Sequence, residues 1–286
     1  MVNRLILVEG IPGAGKTTTA RKIRDQLISE GKDVVLYEEG TLHPADMAWH
    51  AYLTKEEYES FISRCLEEYE KRDIVISQDE LRKRIEDQVR REGDHIILAY
   101  TRIDFPDPTF WKLTDEVASK EIFDGRRSLL EFTEIHLNRW TRFSEEAVKS
   151  EQISIFECAF LQNHIFELLA VHEKSCDEIY EHLHRLLETV KALEPVLVYI
   201  EPSSIEGAVN QAAKERRSPD DPDNDWINQI AAWVARSRFG RSRGLQGIEG
   251  VYAFCRERLR IDKLMIERLG IPVTIVYRDV DFNRNE

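Results

Sequence analysis

The string Gly10-Ile11-Pro12-Gly13-Ala14-Gly15-Lys16-Thr17 fits G-x-x-x-x-G-K-[ST] without a gap, and it restricts the fold more tightly than anything else in the chain. Such a loop binds phosphate only where it leaves a strand and opens a helix. The flanks meet both demands. Leu5-Ile6-Leu7-Val8 is an apolar run of strand length, and a helical stretch follows from about Lys16 to Glu30, closed by Gly31. Val34-Val35-Leu36-Tyr37 then reads as a second strand, completing one βαβ unit. Each loop position has a chemical reason. Backbone N–H groups of the loop and the helix N-terminus converge on an anion. Gly13 and Gly15 permit torsions and close approaches that a Cβ would block. Lys16 brings a charge to the β- and γ-phosphates, and Thr17 offers a hydroxyl to Mg²⁺. Gly10, Pro12, Gly13, Ala14, Gly15, Lys16, Thr17 and Thr18 are thus the expected nucleotide-binding residues.

Downstream, strands continue to alternate with helices. Ile153 to Phe156, Val196 to Ile200 and Ile271 to Tyr277 are the remaining strand candidates, with helical stretches between them. That alternation predicts an α/β fold with a mainly parallel sheet. Between the second and third sheet strands, Val34–Tyr37 and Ile153–Phe156, a charged and mostly helical insertion occupies about 54–138. In it Ser77-Gln78-Asp79-Glu80 opens a helix expected to end near Gly93, and His95 to Ile103 is a candidate extra strand. Dense mixed charge there suits solvated helix faces or a substrate lid. The whole chain is expected to be one domain carrying this insertion, with a lid region at about 203–245.

Forty basic and 53 acidic residues leave a formal charge of −13. Bulk charge therefore disfavours nucleic acid and anionic bilayers as partners. No stretch approaches the roughly 20 apolar residues that span a bilayer. Glu9 interrupts the first apolar run too early for an export signal. Cys65, Cys158, Cys176 and Cys255 are scattered, which predicts neither a disulfide framework nor a zinc site and points to a reducing cytoplasm. Oligomeric state is left open.

The residues up to about 40, Ile153 to Gln162, and Val196 to Arg217 resemble the nucleoside and nucleotide kinase branch of P-loop proteins. That group holds thymidylate kinases, deoxynucleoside kinases and chloramphenicol phosphotransferase. The resemblance implies a three-layer P-loop NTPase fold with a five-stranded parallel sheet of order 2-3-1-4-5 and an arginine-bearing lid. It implies ATP and Mg²⁺ as cofactors and a small-molecule phosphoryl acceptor. Glu157 ends the third sheet strand, as does the general base of deoxynucleoside kinases, although Cys158 follows where that family has Arg. It is the candidate base or metal-sphere carboxylate, beside Thr17; otherwise it merely terminates a strand. Glu39 and Gly40 resemble part of the acceptor loop of thymidylate kinases, with Glu38 where those have Arg. Glu39, His43, Asp46 and Arg139 are the candidate acceptor contacts, although Asp46 and His43 also suit a turn and Arg139 a surface helix. Arg216 or Arg217 is the expected lid arginine, acting on charge in the transferring group. Arg236, Arg238, Arg241 and Arg243 compete for that role from what their glycines suggest is a flexible loop. No Asn-Lys-x-Asp guanine motif is present.

The expected activity is ATP- and Mg-dependent phosphotransfer to a small molecule, with catalysis by Lys16, Glu157 and a lid arginine. The alternative is a nucleotide-gated binding or regulatory ATPase with no small acceptor.

Overall fold

The computed structural model describes residues 3–218 and 222–279, the side chain of 223 excepted. The described residues up to Glu38 and from Leu137 onward form one compact unit, and Glu39–His136 form a second.

The first unit is built on the strand that precedes the loop. β1 (Leu5–Gly10) is buried at all six positions, as befits a strand flanked by neighbours and covered on both faces. It leads through the glycine turn into α1 (Lys16–Ser29). Gly31, at φ 77°, closes that helix in the left-handed region that favours glycine. β2 (Val34–Tyr37) follows.

The second unit has a small antiparallel sheet of its own. β3 (Ala51–Thr54) runs into α2 (Lys55–Glu70), where Thr54 and Glu57 form a reciprocal cap. α3 (Gln78–Glu86) starts on Ser77, whose hydroxyl accepts from the Glu80 N–H. The helix stops seven residues before Gly93, earlier than the sequence predicts. The missing residues are β4 (Val89–Glu92), which turns back on β5 (His95–Leu98). Glu92 faces His95 across a two-residue turn, with Gly93 at φ 61°. The sheet order is β3-β5-β4. Tyr58, Phe61, Leu81, Ile96, Leu98 and Phe110 pack into its core, joined by α4 (Trp111–Ala118) through Val117.

α5 (Leu129–Ala147) carries the chain back to the first unit. β6 (Ile153–Glu157) is fully buried. α6 (Gln162–Ile165) widens into a π-helical turn over Phe166–Val171, a feature the periodicity does not announce. α7 (Cys176–Thr189) buries the stripe Ile179, Leu183, Leu186 and Leu187. Then come β7 (Val196–Pro202), α8 (Ile205–Glu215), α9 (Trp226–Arg236), α10 (Arg238–Arg243), α11 (Gly247–Leu269) and β8 (Val273–Arg278). Residues 219–221 of the acidic loop lie outside the described residues.

All strand pairs of the larger sheet are parallel, in the order β2-β6-β1-β7-β8. Counting only these five strands, that is 2-3-1-4-5. Val8 lies opposite Glu157, and Gly10 opposite Ile200. The loop and the strand-terminal glutamate are thus brought to the same edge of the sheet, where open α/β sheets bind ligands. No helix among the described residues is long and apolar enough to cross a membrane.

Candidate nucleotide site

The loop is held from three sides. Ile11 and Ala14 are fully buried against the sheet core. Gly13 sits at φ 76°, and a Cβ built there would lie 1.8 Å from the Ala208 carbonyl oxygen of α8. Only glycine fits that approach. Gly15, at φ 91°, forms the N-cap of α1. Lys16 is buried, and its Nζ donates to the Ile11 carbonyl at 3.0 Å, so the side chain folds back along its own loop. Pro12 is buried and Thr18 is exposed at the first turn.

Thr17 and Glu157, 140 residues apart, meet. The Thr17 hydroxyl donates to Glu157 Oε1 at 2.5 Å. Hydroxyl and carboxylate oxygens are the hard donors that Mg²⁺ accepts, usually with water and substrate phosphate completing its octahedron. Among the described residues no group of three or more His, Cys, Asp or Glu forms a separate metal cage. Thr17 and Glu157 therefore fit a magnesium that arrives with a nucleotide.

Beside them, Arg21 of α1 grips Glu38 at the end of β2 with two bonds, of 2.6 and 2.8 Å. That pairing raises the Arg21 pKa, with a smaller push from Glu157. Sequence spacing gives no hint of it: Glu38 stands where thymidylate kinases have an arginine, and its charge is answered from the facing helix.

Glu9, which the sequence shows only as a break in an apolar run, anchors the segment after Glu157. It is fully buried. Its carboxylate accepts the backbone N–H groups of Phe160, Leu161 and Gln162 at 2.7, 2.9 and 2.9 Å. Cys158, at φ 67°, makes the turn, and its N–H bonds the Val8 carbonyl at 3.1 Å. Arg258 of α11 supports the same turn through the Gln162 carbonyl at 3.1 Å and pairs with Asp262 at 2.5 Å, which also accepts from Tyr199. Burial pushes the Glu9 carboxyl up to about 7, against Arg258 and the three backbone donors.

This shift has a definite sign. Between about pH 4.5 and 7 the unfolded chain has released the Glu9 proton while the folded chain retains it. Folded stability from this group therefore falls as pH rises through that window, by about 3 kcal/mol. Glu9→Gln is neutral throughout and lacks the fall. Urea unfolding at pH 5 and pH 8 should show the variant gaining about 3 kcal/mol on the wild type. Glu121, also raised to about 7, and His182, held down to about 4 by burial, titrate in both proteins and cancel in the difference. Parallel stability profiles would contradict the assignment.

Arg216 and Arg217 are exposed at the end of α8. The Arg216 guanidinium lies over the Trp226 ring, 5.4 Å from its centroid. At 1.5 Å per residue, about 12 Å of helix axis separates it from Ala208, the residue touching Gly13. Among the described residues no hydrogen bond or ion pair joins either arginine to the loop. The second arginine cluster is no loop, contrary to expectation. Arg236 ends α9, while Arg238, Arg241 and Arg243 lie on α10. Gly240 is helical and packs on the Val234 carbonyl, and Arg243 pairs with Glu173 at 3.2 Å. Arg139 is 3% exposed on α5, which sets aside the surface-helix alternative.

In the second unit His43 and Asp46 are buried. The His43 Nδ1 accepts from the N–H groups of Ala45 and Asp46 at 3.0 and 2.7 Å, which fixes the turn. Asp46 lies 3.9 Å from His136 Nε2. Trp49 Nε1 donates to Glu39 at 3.4 Å, and Arg102 donates to the Glu39 carbonyl at 2.6 Å. Trp49, Arg102 and His136 join these candidates only in the folded chain.

No curated protein sequence matches the chain. The family model described as "Chromatin associated protein KTI12" matches residues 4–82. That segment holds β1, the loop, α1, β2 and the start of the second unit. The loop motif and the sheet order together give the chain a P-loop NTPase-like fold.

Proposed function

We propose that the chain is an ATP- and Mg-dependent phosphotransferase acting on a small-molecule acceptor. The observation that carries this is the Thr17–Glu157 bond beside the loop. It unites the hydroxyl of the motif with an acid suited to a magnesium sphere or to proton acceptance. The loop N–H groups and Lys16 hold and orient the phosphates. Magnesium, when bound, supplies positive charge that offsets the charge developing on the phosphoryl oxygens. Glu157 accepts the proton of the attacking hydroxyl or takes its place in the metal sphere. Arg216 or Arg217 closes on the phosphates by a movement of the α8–α9 region and excludes water, the competing acceptor. Glu39, His43, Asp46 and Arg139 are proposed acceptor contacts, and the unit of Glu39–His136 is proposed to select the acceptor.

MgATP should raise the melting temperature, since a ligand selective for the folded state stabilises it by mass action. At about 100 times Kd the gain is about 2.7 kcal/mol, or roughly 5–10 °C for a chain of this size. ADP release should then rise when the right hydroxylated small molecule is added. No thermal shift with millimolar MgATP would remove the nucleotide site from the account.

A nucleotide-gated binding module is the alternative. The separate core of the Glu39–His136 unit favours it, as a partner surface. So does the match to a chromatin-associated family. Such a module hydrolyses ATP slowly and ignores every small acceptor.

A further inference from the structure

Arg278 is the last residue of β8, and its backbone carbonyl accepts from the Ser203 N–H at 2.8 Å. It stands opposite Pro202, at the same sheet edge as the loop. Its side chain crosses to the phosphate loop itself. A Cβ built on Gly15 would fall 1.6 Å from Arg278 Nη1 and 2.7 Å from Cζ. Such an overlap could be relieved by swinging the arginine away; what it records is that the guanidinium rests on the bare face of Gly15. The side chain is half-buried there, and among the described residues no carboxylate pairs with it.

This resting place is electrostatically unfavourable for an isolated cation. Gly15 caps the N-terminus of α1, the positive end of the helix dipole. Lys16, the next residue, adds a like charge. An anion held by the loop reverses the balance. The planar guanidinium fork also matches two phosphate oxygens at once, as an ammonium group does not.

We propose that Arg278 is a nucleotide-phosphate contact, delivered from the last sheet strand to the loop that also holds Lys16. The proposal rests on the loop being a nucleotide site. It assigns a phosphate-binding role to a residue outside both arginine clusters of the lid region, on a strand already paired with β7 and needing no lid closure.

Calorimetry with MgATP and with inorganic tripolyphosphate separates the outcomes. Arg278→Ala should weaken both ligands by about ten- to a hundredfold, the range for a charge-assisted hydrogen bond. Its ligand-free melting temperature should stay near that of the wild type. Arg278→Gln, which keeps part of the reach and loses the charge, should show the same loss and carries the test if the alanine variant fails to fold. Unchanged tripolyphosphate affinity overturns the proposal, including the case in which only MgATP weakens, which would place the guanidinium on the base. Arg278→Ala binding both ligands like the wild type removes Arg278 alone. A folded wild type that binds neither ligand overturns the loop assignment and this contact with it.

Discussion

Lys16→Ala is expected to fold normally and to lose ATP turnover by about 10²–10³-fold, the usual cost of removing one preorganised group aimed at developing charge. The Lys16 Nζ is buried, and among the described residues it bonds only to the Ile11 carbonyl of its own loop. Its removal breaks no distant hydrogen bond among the described residues, and Ile11, Ala14 and Gly13 still seat the loop on the sheet and on α8. Circular dichroism should therefore match the wild type while calorimetry shows weakened MgATP binding. A variant with wild-type affinity and turnover would remove the loop from the chemistry.

Glu157→Gln is expected to separate catalysis from binding. The amide keeps the volume and still accepts from the Thr17 hydroxyl through its oxygen, so folding and ATP affinity should stay near wild type. It cannot take a proton as a carboxylate does, nor offer a full charge to a metal. Loss of a general base costs about 10²–10⁴-fold in kcat. An interaction made mainly in the transition state lowers kcat and kcat/KM together. A dissociative transition state needs little help from a base, so a pure metal-sphere role gives the smaller end of the range. Turnover within about threefold of wild type, far below the general-base range, would leave Glu157 as a strand terminus. The carboxylate would then be sought at Glu39 or Asp46.

The parallel sheet was legible because its central strands, β1 and β6, are buried on both faces. Leu5–Val8 and Val196–Ile200 are continuous apolar runs bounded by charge or proline, and Ile153–Phe156 is apolar apart from Ser154 and ends at Glu157. The Thr17–Glu157 meeting was foreshadowed by the family resemblance, which sets an acidic strand end beside the phosphate loop. The small sheet was not. Val89-Arg90-Arg91-Glu92 carries too much charge for a strand signature, and its pairing with His95–Leu98 depends on Gly93 rather than on periodicity. The α10 helix was hidden by the opposite error. Gly240 looks like a breaker, but the backbone of Val234 approaches so closely that only glycine fits inside that helix turn. The Arg21–Glu38 and Glu9–Phe160 contacts span 17 and 151 residues. Side-chain spacing carries no information across such distances; the sheet order does.

The most direct test follows the γ-phosphoryl group itself. ATP labelled at that position is incubated with the protein, Mg²⁺ and a panel of hydroxylated and amine-bearing small molecules. The label is then traced among ATP, inorganic phosphate and acceptor. Phosphotransfer predicts label on at least one acceptor, reduced about 10²–10³-fold by Lys16→Ala and about 10²–10⁴-fold by Glu157→Gln. Label appearing only as inorganic phosphate, at one slow rate whatever molecule is added, would contradict it.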